Sequence, residues 1–217
     1  MTRFQSAIRR ALPALLLVAC ATSVAQQPKT GAQTAAKKAA PAQPAQAPGV
    51  FKVLLDTSKG PIHLEIHRDW APKGVDHFYS LVKSGFFDGA RFFRVVPNFV
   101  VQFGLAASPA TTAKWSKAIT DDPVTQTNRV GSIVYATAGR NTRTTQLFIN
   151  LRSNQMLDSQ GFAPFGMVLD DGMTIVQQIY SGYGESPDQG KITSQGNAYL
   201  ESKFPKLDYI KKASIEP

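Results

Sequence analysis

Apolar and polar residues alternate along most of the chain beyond residue 50, and this period of two predicts a β-rich body. In residues 62–67 three aliphatic side chains alternate with histidine, glutamate and histidine, as in a half-buried strand. An apolar run at 53–55 precedes them, and a Ser-Lys-Gly turn at 58–60 joins the two into a predicted hairpin. The same pattern predicts further strands at 92–96, 99–103, 132–136, 146–151 and 207–215.

Two segments have helical spacing instead. Apolar residues recur every three or four positions between Pro72, a typical first-turn residue, and Gly85, a typical stop. The segment MTIVQQIY at 173–180 predicts a second helix, and a short extra one is predicted at 197–203. Many short strands with two main helices indicate a mainly β fold, an antiparallel sheet closed into a barrel.

The N-terminal 50 residues differ from this body. Residues 1–25 have a short basic start and then an apolar stretch too short to span a bilayer, so they predict an export signal. Leu-Val-Ala-Cys at 17–20 is a candidate lipobox that would place a lipid on Cys20, and the shortness of the apolar stretch favours it slightly; Ser-Val-Ala at 23–25 is an acceptable site for ordinary cleavage. Either reading predicts an exported, periplasmic protein, soluble or anchored through Cys20. Residues 26–50 are rich in Ala, Gln and Pro and predict a disordered tether, which leaves 51–217 as the folded domain.

Charge and cysteine content exclude several functions. The net charge of the chain is +9, but the first 50 residues hold six basic and no acidic residues, so residues 51–217 carry only +3. A nearly balanced body argues against a nucleic-acid partner. Cys20 is the sole cysteine, which excludes an intramolecular disulfide, a cysteine-based metal site and a thiol nucleophile in the body.

The motif His63-x-Glu65-x-His67 is the obvious candidate for a metal site. On a strand its three side chains share one face, but the zinc-protease spacing requires His-Glu-x-x-His on a helix. A polar outer face of an edge hairpin explains the triplet without a metal, and we predict no metal site. The sequence also lacks the Gly-x-Ser-x-Gly of serine hydrolases and the glycine-rich loops that bind phosphates.

The most informative stretch is FDGARFFRVVPNFVVQFG at 87–104, in which Arg94 and Gln102 lie among large apolar residues. By spacing alone, an exposed arginine on a strand would account for Arg94. The stretch, however, resembles the core signature of the cyclophilins, the peptidyl-prolyl cis-trans isomerases. VYATAGRNTRTTQLFIN at 134–150 and MLDSQGFAPFGMV at 156–168 match further family motifs in the family's order, and the resemblance extends over nearly all of 52–181. It implies an eight-stranded antiparallel barrel capped by two α-helices.

The resemblance also implies the site. Arg94 corresponds to the catalytic arginine, which stabilises the twisted peptide bond without a cofactor, a metal or a covalent intermediate. The residues that the resemblance assigns to substrate binding are Phe99, Val100, Gln102, Ala136, Thr137, Gln146, Phe148, Met156, Leu157 and Phe162. The implied partners are proline-containing segments of exported polypeptides, bound by a monomer that touches a membrane only through a lipid on Cys20.

Departures from the family leave alternatives open. Phe93 stands where many members have histidine, Thr137 replaces a frequent asparagine, and Met156 replaces a frequent tryptophan. Residues 184–206 fit the common core less well, and with the exported cyclophilins of bacteria as the best comparison, we expect this insert to be structural or partner-binding. The leading hypothesis is an active isomerase. A proline-segment-binding chaperone without relevant turnover is the alternative, and a surface scaffold using the tether and the insert is a third.

Overall fold

β-Strands form most of the body, which the computed structural model describes from residue 46 to residue 217. The strands are β1 Val50–Thr57, β2 Gly60–His67, β3 Arg94–Val96, β4 Val100–Phe103, β5 Ser132–Tyr135, β6 Leu147–Asn150, β7 Pro164–Val168 and β8 Ile210–Ile215. The helices are α1 Pro72–Lys83, α2 Pro109–Lys114, α3 Gly172–Val176, α4 Gln189–Gln195 and α5 Asn197–Lys203, with a 3-10 turn at Gln155–Leu157. None of these helices, within residues 46–217, combines the length and apolarity needed to cross a membrane.

The eight strands form one antiparallel sheet in the order β3-β4-β6-β5-β7-β2-β1-β8. The predicted closure into a complete barrel is wrong, because β3 and β8 remain the two edges of an open half-barrel. The reason is local: β3 has only three residues, and the chain just before it contributes an isolated bridge residue and not a continuous strand. One isolated bridge between Arg91 and Tyr209 and a hydrogen bond from the Phe92 N–H to the Asp208 carbonyl (3.0 Å) hold the edges near each other.

The predicted alternation in residues 62–67 is confirmed. Ile62, Leu64 and Ile66 of β2 are fully buried, whereas the polar residues between them are half-buried on the outer face. Helix α1 covers the sheet with an apolar stripe that includes Val75 and Phe78, both fully buried. Burying such side chains stabilises the fold by roughly 1.5–3 kcal/mol each. The alternation in β2 and the helical spacing in α1 therefore predict correctly which side chains pack into the core.

Several elements differ from the expected set. The predicted hairpin, the strand pairs and the helices at 72–83 and 197–203 are present, and the second main helix is shorter than predicted, because its last residues form turns. Strand β7 and helices α2 and α4 were not predicted, so more than two helices accompany the sheet. Strand β7 contains Pro164 and Gly166, which obscure its pattern; a side chain at Gly166 would meet the Glu65 carbonyl oxygen of β2 at 2.5 Å.

The start of the folded body lies slightly earlier than predicted. Ala47 is buried, its N–H donates to Asp76 Oδ1 at 2.9 Å, and Val50 already begins β1. These residues were assigned to the tether, so the body begins at about residue 47 and not at 51. The predicted export signal, Cys20 and the tether up to residue 45 lie outside the described residues.

The insert at 184–206 packs against the body through a second apolar cluster. Phe93 and Leu105 of the body contact Ile192, Leu200 and Leu207, all nearly fully buried. Tyr183, Tyr199 and Phe204 pack around this cluster. Phe93, the departure from the family's histidine, therefore serves as the docking surface for the insert directly beside Arg94 in the chain.

Candidate active site

One groove of about 430 Å³ collects nearly all of the residues that the sequence assigns to the site. The predicted residues that line it are Arg94, Phe99, Val100, Gln102, Ala136, Thr137, Gln146, Phe148, Leu157 and Phe162. Five further lining residues were not predicted: Ala138, Thr142, Thr144, Gln160 and Gln189. Strands β3, β4 and β6, the residues that follow β5, the 3-10 turn and the start of α4 thus bring together residues that are up to 95 positions apart in the chain.

One end of the groove is apolar. Val100, Phe148 and Leu157 are buried beside one another, and Phe162 packs edge-on against Phe148 with ring centroids 5.8 Å apart. Phe99 is held by its backbone, whose carbonyl accepts hydrogen bonds from the Leu151 N–H (2.9 Å) and the Asn154 side chain (3.1 Å). A small, aromatic-walled depression of this kind suits a compact apolar ring.

Arg94 lines the same groove beside this depression. The register of β3 and β4 pairs Arg94 directly with Gln102. Arg94 Nη1 donates to Gln102 Oε1 at 3.1 Å, and Gln102 Nε2 donates to Gln146 Oε1 at 2.8 Å. The guanidinium also lies 5.7 Å from the centre of the Phe99 ring. A chain of two amide side chains therefore orients the cation towards the apolar depression.

A carboxylate from the insert holds the other side of the same guanidinium. Arg94 Nε donates to Glu185 Oε1 at 2.6 Å, and Nη2 lies 2.5 Å from the same oxygen. The insert was expected to be structural or partner-binding, but its Glu185 contacts Arg94 and its Gln189 lines the groove. The sequence carried a faint signal for this contact, since Gly184–Gly190 holds two acidic residues and no basic one.

The loop at 137–142 forms part of the groove wall, and its residues hydrogen-bond to one another. The Thr137 hydroxyl shares a hydrogen bond of 2.8 Å with the Thr142 hydroxyl, which also accepts from the Ala138 N–H at 3.0 Å. The Ala136 N–H donates to the Gln146 carbonyl at 2.9 Å and ties this part of the wall to the strand that follows the loop. These hydrogen bonds hold the backbone of this part of the groove wall in place.

Met156 is the one predicted substrate-binding residue that the structure leaves out of the groove. Its side chain is 59% exposed, whereas its neighbour Leu157 is 7% exposed and lines the groove. In a 3-10 turn successive side chains are about 120° apart, so only one of two neighbours faces the site. The spacing of the motif did not indicate which of the two residues turns inward.

A buried polar cluster of Arg143, Asp122, Tyr135 and His77 lies next in sequence to several groove residues. The Arg143 guanidinium donates to Asp122 Oδ2 at 3.0 Å, and the Tyr135 hydroxyl donates to the Gly74 carbonyl at 3.0 Å. Burial lowers the pKa of His77, an effect that a hydrogen bond with the backbone of Thr144 partly opposes. Burial raises the pKa of Tyr135 well above its usual range. His77 and Tyr135 are therefore uncharged at neutral pH and serve packing.

The histidines of the triplet at 63–67 contact carboxylates on the outer face of the sheet. His67 Nε2 lies 2.8 Å from Glu65 Oε1 and its ring stacks on Trp70, while His63 Nδ1 lies 3.0 Å from Glu216 Oε2. In the part of the chain that the structure describes, no three metal-ligating side chains come together. The two histidines are occupied by carboxylates far from the groove residues.

Known proteins share this fold and these sequence motifs. The family model described as "Cyclophilin type peptidyl-prolyl cis-trans isomerase/CLD" matches residues 52–197. The chain is 36% identical over 132 residues to peptidyl-prolyl cis-trans isomerase-like 1 of Rhizopus delemar, covering 59% of this chain and 79% of the relative. It is 36% identical over 138 residues to peptidyl-prolyl cis-trans isomerase A of the bacterium Dickeya dadantii, covering 58% and 70%.

Solved structures show the same likeness in three dimensions. A cyclophilin-type isomerase of Cryptosporidium parvum superposes with a TM-score of 0.59 at 21% identity, covering 77% of this chain and 98% of the other. A second structure of that protein, determined in the presence of the dipeptide Ala-Pro, superposes with a TM-score of 0.58.

Proposed function

The chain belongs to the cyclophilin-type peptidyl-prolyl cis-trans isomerase family and is an isomerase, and from this premise we propose how its groove works and where. We propose that the groove binds a proline-containing segment of an exported polypeptide and that Arg94 accelerates rotation about the Xaa-Pro bond. The observation that carries this proposal is the forked guanidinium of Arg94, held beside an apolar depression within one groove. The Ala-Pro dipeptide named with the Cryptosporidium parvum protein accords with this class of substrate.

Catalysis of Xaa-Pro rotation requires that the twisted peptide bond be stabilised relative to the planar one. Resonance gives the peptide bond a rotational barrier of about 18–20 kcal/mol, and uncatalysed Xaa-Pro exchange takes about 10–100 s. At the top of the barrier the proline nitrogen is pyramidal and has regained its lone pair. A permanently charged guanidinium donates hydrogen bonds in a fixed fork. We assign Arg94 to donate to the proline nitrogen and the proline carbonyl oxygen, which favours the twisted state by electrostatic preorganisation.

Arg94 keeps donors for this purpose. A guanidinium has five N–H groups. Glu185 engages Nε and one N–H of Nη2, and Gln102 accepts one N–H of Nη1, so one N–H on each terminal nitrogen is left for substrate. The proline ring would occupy the depression formed by Phe99, Val100, Phe148 and Leu157, with Phe162 covering it. Because the ring is held in one position, the reaction avoids part of the entropy cost of orienting the substrate.

The residues that precede the proline are assigned to the part of the groove just after β5. Ala136 and Thr137 would line the path of these residues, with the Thr137 backbone contacting the peptide, and Gln146 would face the same path. Gln102 would hydrogen-bond the substrate backbone while it holds Arg94.

The test is catalysis of cis-trans exchange in a short Xaa-Pro peptide, followed by NMR exchange spectroscopy, with the purified full-length chain. Arg94→Ala should lower kcat/KM by about 100-fold or more, the usual cost of losing a preorganised donor. Arg94→Lys should recover only part of the activity, because an ammonium lacks the fork. Arg152→Ala, which removes an exposed arginine whose Nε contacts only the neighbouring Ser153 carbonyl, is the matched control. Circular dichroism confirms that each variant is folded.

A folded parent chain that does not accelerate exchange would overturn the proposal. A chaperone that holds proline-containing segments without turnover would then be the better account, and peptide binding that survives Arg94→Ala would support it.

We also propose export to the periplasm, with Cys20 as the candidate lipid site, and action as a monomer. Support comes from the basic start, the short apolar stretch and Leu-Val-Ala-Cys at 17–20. In a bacterial host, lipid labelling that disappears in Cys20→Ala supports the anchor, and a cleaved, unlabelled soluble product supports ordinary processing at 23–25. A full-length product that stays in the cytoplasm contradicts export. Sedimentation of the purified chain tests the monomer.

A further inference from the structure

The insert at 184–206 contributes a carboxylate to the catalytic arginine, and we infer that this carboxylate selects the substrate. We propose that Glu185 is a specificity-determining residue that favours a basic side chain at the position directly after the substrate proline and disfavours an acidic one. This inference rests on the proposed function, since it uses the orientation of the substrate on Arg94.

The position of Glu185 is built into the fold. The Val95 N–H, next to Arg94, donates to the Gly184 carbonyl at 3.2 Å, so the chain on either side of the ion pair is joined by backbone. Pro187 is buried, and Gln189 at the start of α4 lines the groove. The helices that follow are anchored by Ile192 and Leu200 in the apolar cluster around Phe93. The contact with Arg94 therefore comes from a segment attached at several points, not from a free loop.

Next to Arg94, the more exposed of the two paired charges is the negative one. Glu185 is 63% exposed and Arg94 only 24%, so a side chain that arrives from solution meets the carboxylate before the guanidinium. Asp188 adds a second acid nearby and caps α4 by accepting the Lys191 N–H at 2.8 Å. The nearest basic residue in this sequence segment is Lys191, whose ammonium lies 5.8 Å above the Tyr199 ring.

The chemistry of the substrate determines which of its residues meets Glu185. In the proposed mechanism Arg94 donates to the proline carbonyl, and the next residue is bonded to that carbonyl carbon. The side chain after the proline therefore begins close to the guanidinium, within reach of the Glu185 carboxylate that is bonded to it. The residues before the proline are assigned instead to Ala136 and Thr137, which line the groove just after β5.

The expected size of the effect follows from Coulomb's law. For charges about 7 Å apart at an effective dielectric constant between about 40 and 80, one unit charge changes kcat/KM by about three- to eightfold. The opposing charge of Arg94 and the exposure of Glu185 reduce the effect, so a lysine peptide should exceed a glutamate peptide by about tenfold at low salt. Salt at 1 M, where the Debye length is about 3 Å, should remove most of this preference.

The experiment measures kcat/KM for three peptides that are identical except for lysine, glutamine or glutamate after the proline. The full-length chain is compared with Glu185→Gln, Glu185→Lys and the control Glu201→Gln. Glu201 is a matched control because it is also an exposed insert carboxylate paired with an arginine, Arg91 at 2.9 Å, on residues that do not line the groove. The kcat/KM of the uncharged glutamine peptide is the reference for each variant, because a change in the position of Arg94 would alter it as well.

The decisive quantity is kcat/KM for the lysine peptide divided by kcat/KM for the glutamate peptide. We expect this ratio to fall at least threefold in Glu185→Gln, to drop below one in Glu185→Lys and to stay unchanged in Glu201→Gln. An active parent whose ratio is the same in all four proteins overturns the inference and leaves the isomerase function in place. A uniform rise for all three peptides in Glu185→Gln also overturns it, because Glu185 would then compete with every substrate for Arg94. A folded parent that accelerates none of the peptides refutes the proposed function itself.

Discussion

Replacing Gln102 by leucine tests whether the catalytic arginine needs to be held in place. Leucine fills a similar volume but can neither accept from Arg94 Nη1 nor donate to Gln146 Oε1, which are contacts of 3.1 and 2.8 Å. Gln102 is only 7% exposed, so water cannot enter freely to replace the amide. The guanidinium would then keep its hydrogen bonds to Glu185 only, and we expect it to move towards solvent.

The magnitude follows from these contacts. A hydrogen bond to a charged group contributes about 1.5–3 kcal/mol, which corresponds to roughly 10- to 150-fold in rate. Arg94 is partly exposed and keeps Glu185, so the lower end applies, and Gln102→Leu should reduce kcat/KM by about tenfold. Gln178→Leu, which changes an exposed glutamine on the segment after α3, should leave kcat/KM unchanged.

The assay is a double-mutant cycle measured by NMR exchange on one Xaa-Pro peptide. If Gln102 acts mainly by positioning Arg94, Gln102→Leu should cost less than twofold in the Arg94→Ala background, since residues in one hydrogen-bond network are not additive. The same tenfold loss in both backgrounds would refute the positioning argument and would mean that Gln102 acts on the substrate directly. Thermal unfolding of each variant shows whether a loss of stability contributes.

Three further predictions address the pocket, the insert and the buried histidine. Leu157→Ala should raise KM several-fold because it removes part of the apolar depression, whereas Met156→Ala should leave KM within about twofold; steady-state kinetics on both variants checks the inward and outward positions. Gly196→Ala should lower the free energy of urea unfolding by about 1–3 kcal/mol, because Gly196 has φ +60° and a Cβ there would overlap the Ala107 carbonyl oxygen; unchanged stability would contradict this backbone geometry. Burial lowers the pKa of His77, so the folded chain binds a proton less readily than the unfolded chain, and stability should fall as the pH drops below about 6.5. His77→Gln should make the unfolding free energy less dependent on pH between 7 and 5, by at most about 1.4 kcal/mol per pH unit, and an identical pH profile would argue against a neutral buried imidazole.

Patterns in the sequence predicted the main strands, the first helix and most of the groove residues. Alternation in β2 and helical spacing in α1 identified these elements, because the side-chain period follows directly from which face is buried. The motif around Arg94 identified the arginine and Gln102 through resemblance to the cyclophilins, and the register of β3 with β4 pairs them. Spacing alone could not separate a groove-lining phenylalanine from a core phenylalanine, since both are apolar positions on the same strands.

Three features depend on how distant parts of the chain pack together in the folded protein. This packing left the sheet open between β3 and β8, because the residues before these two strands meet in an isolated bridge, Arg91 with Tyr209, and not in a continuous ladder. It turned Met156 outward and Leu157 inward, a choice that depends on the rotation of one 3-10 turn. It brought Glu185 onto Arg94 across 91 positions of chain. That contact depends on how the insert docks on Phe93, and a pairing between distant segments leaves no periodic pattern in the sequence of either one.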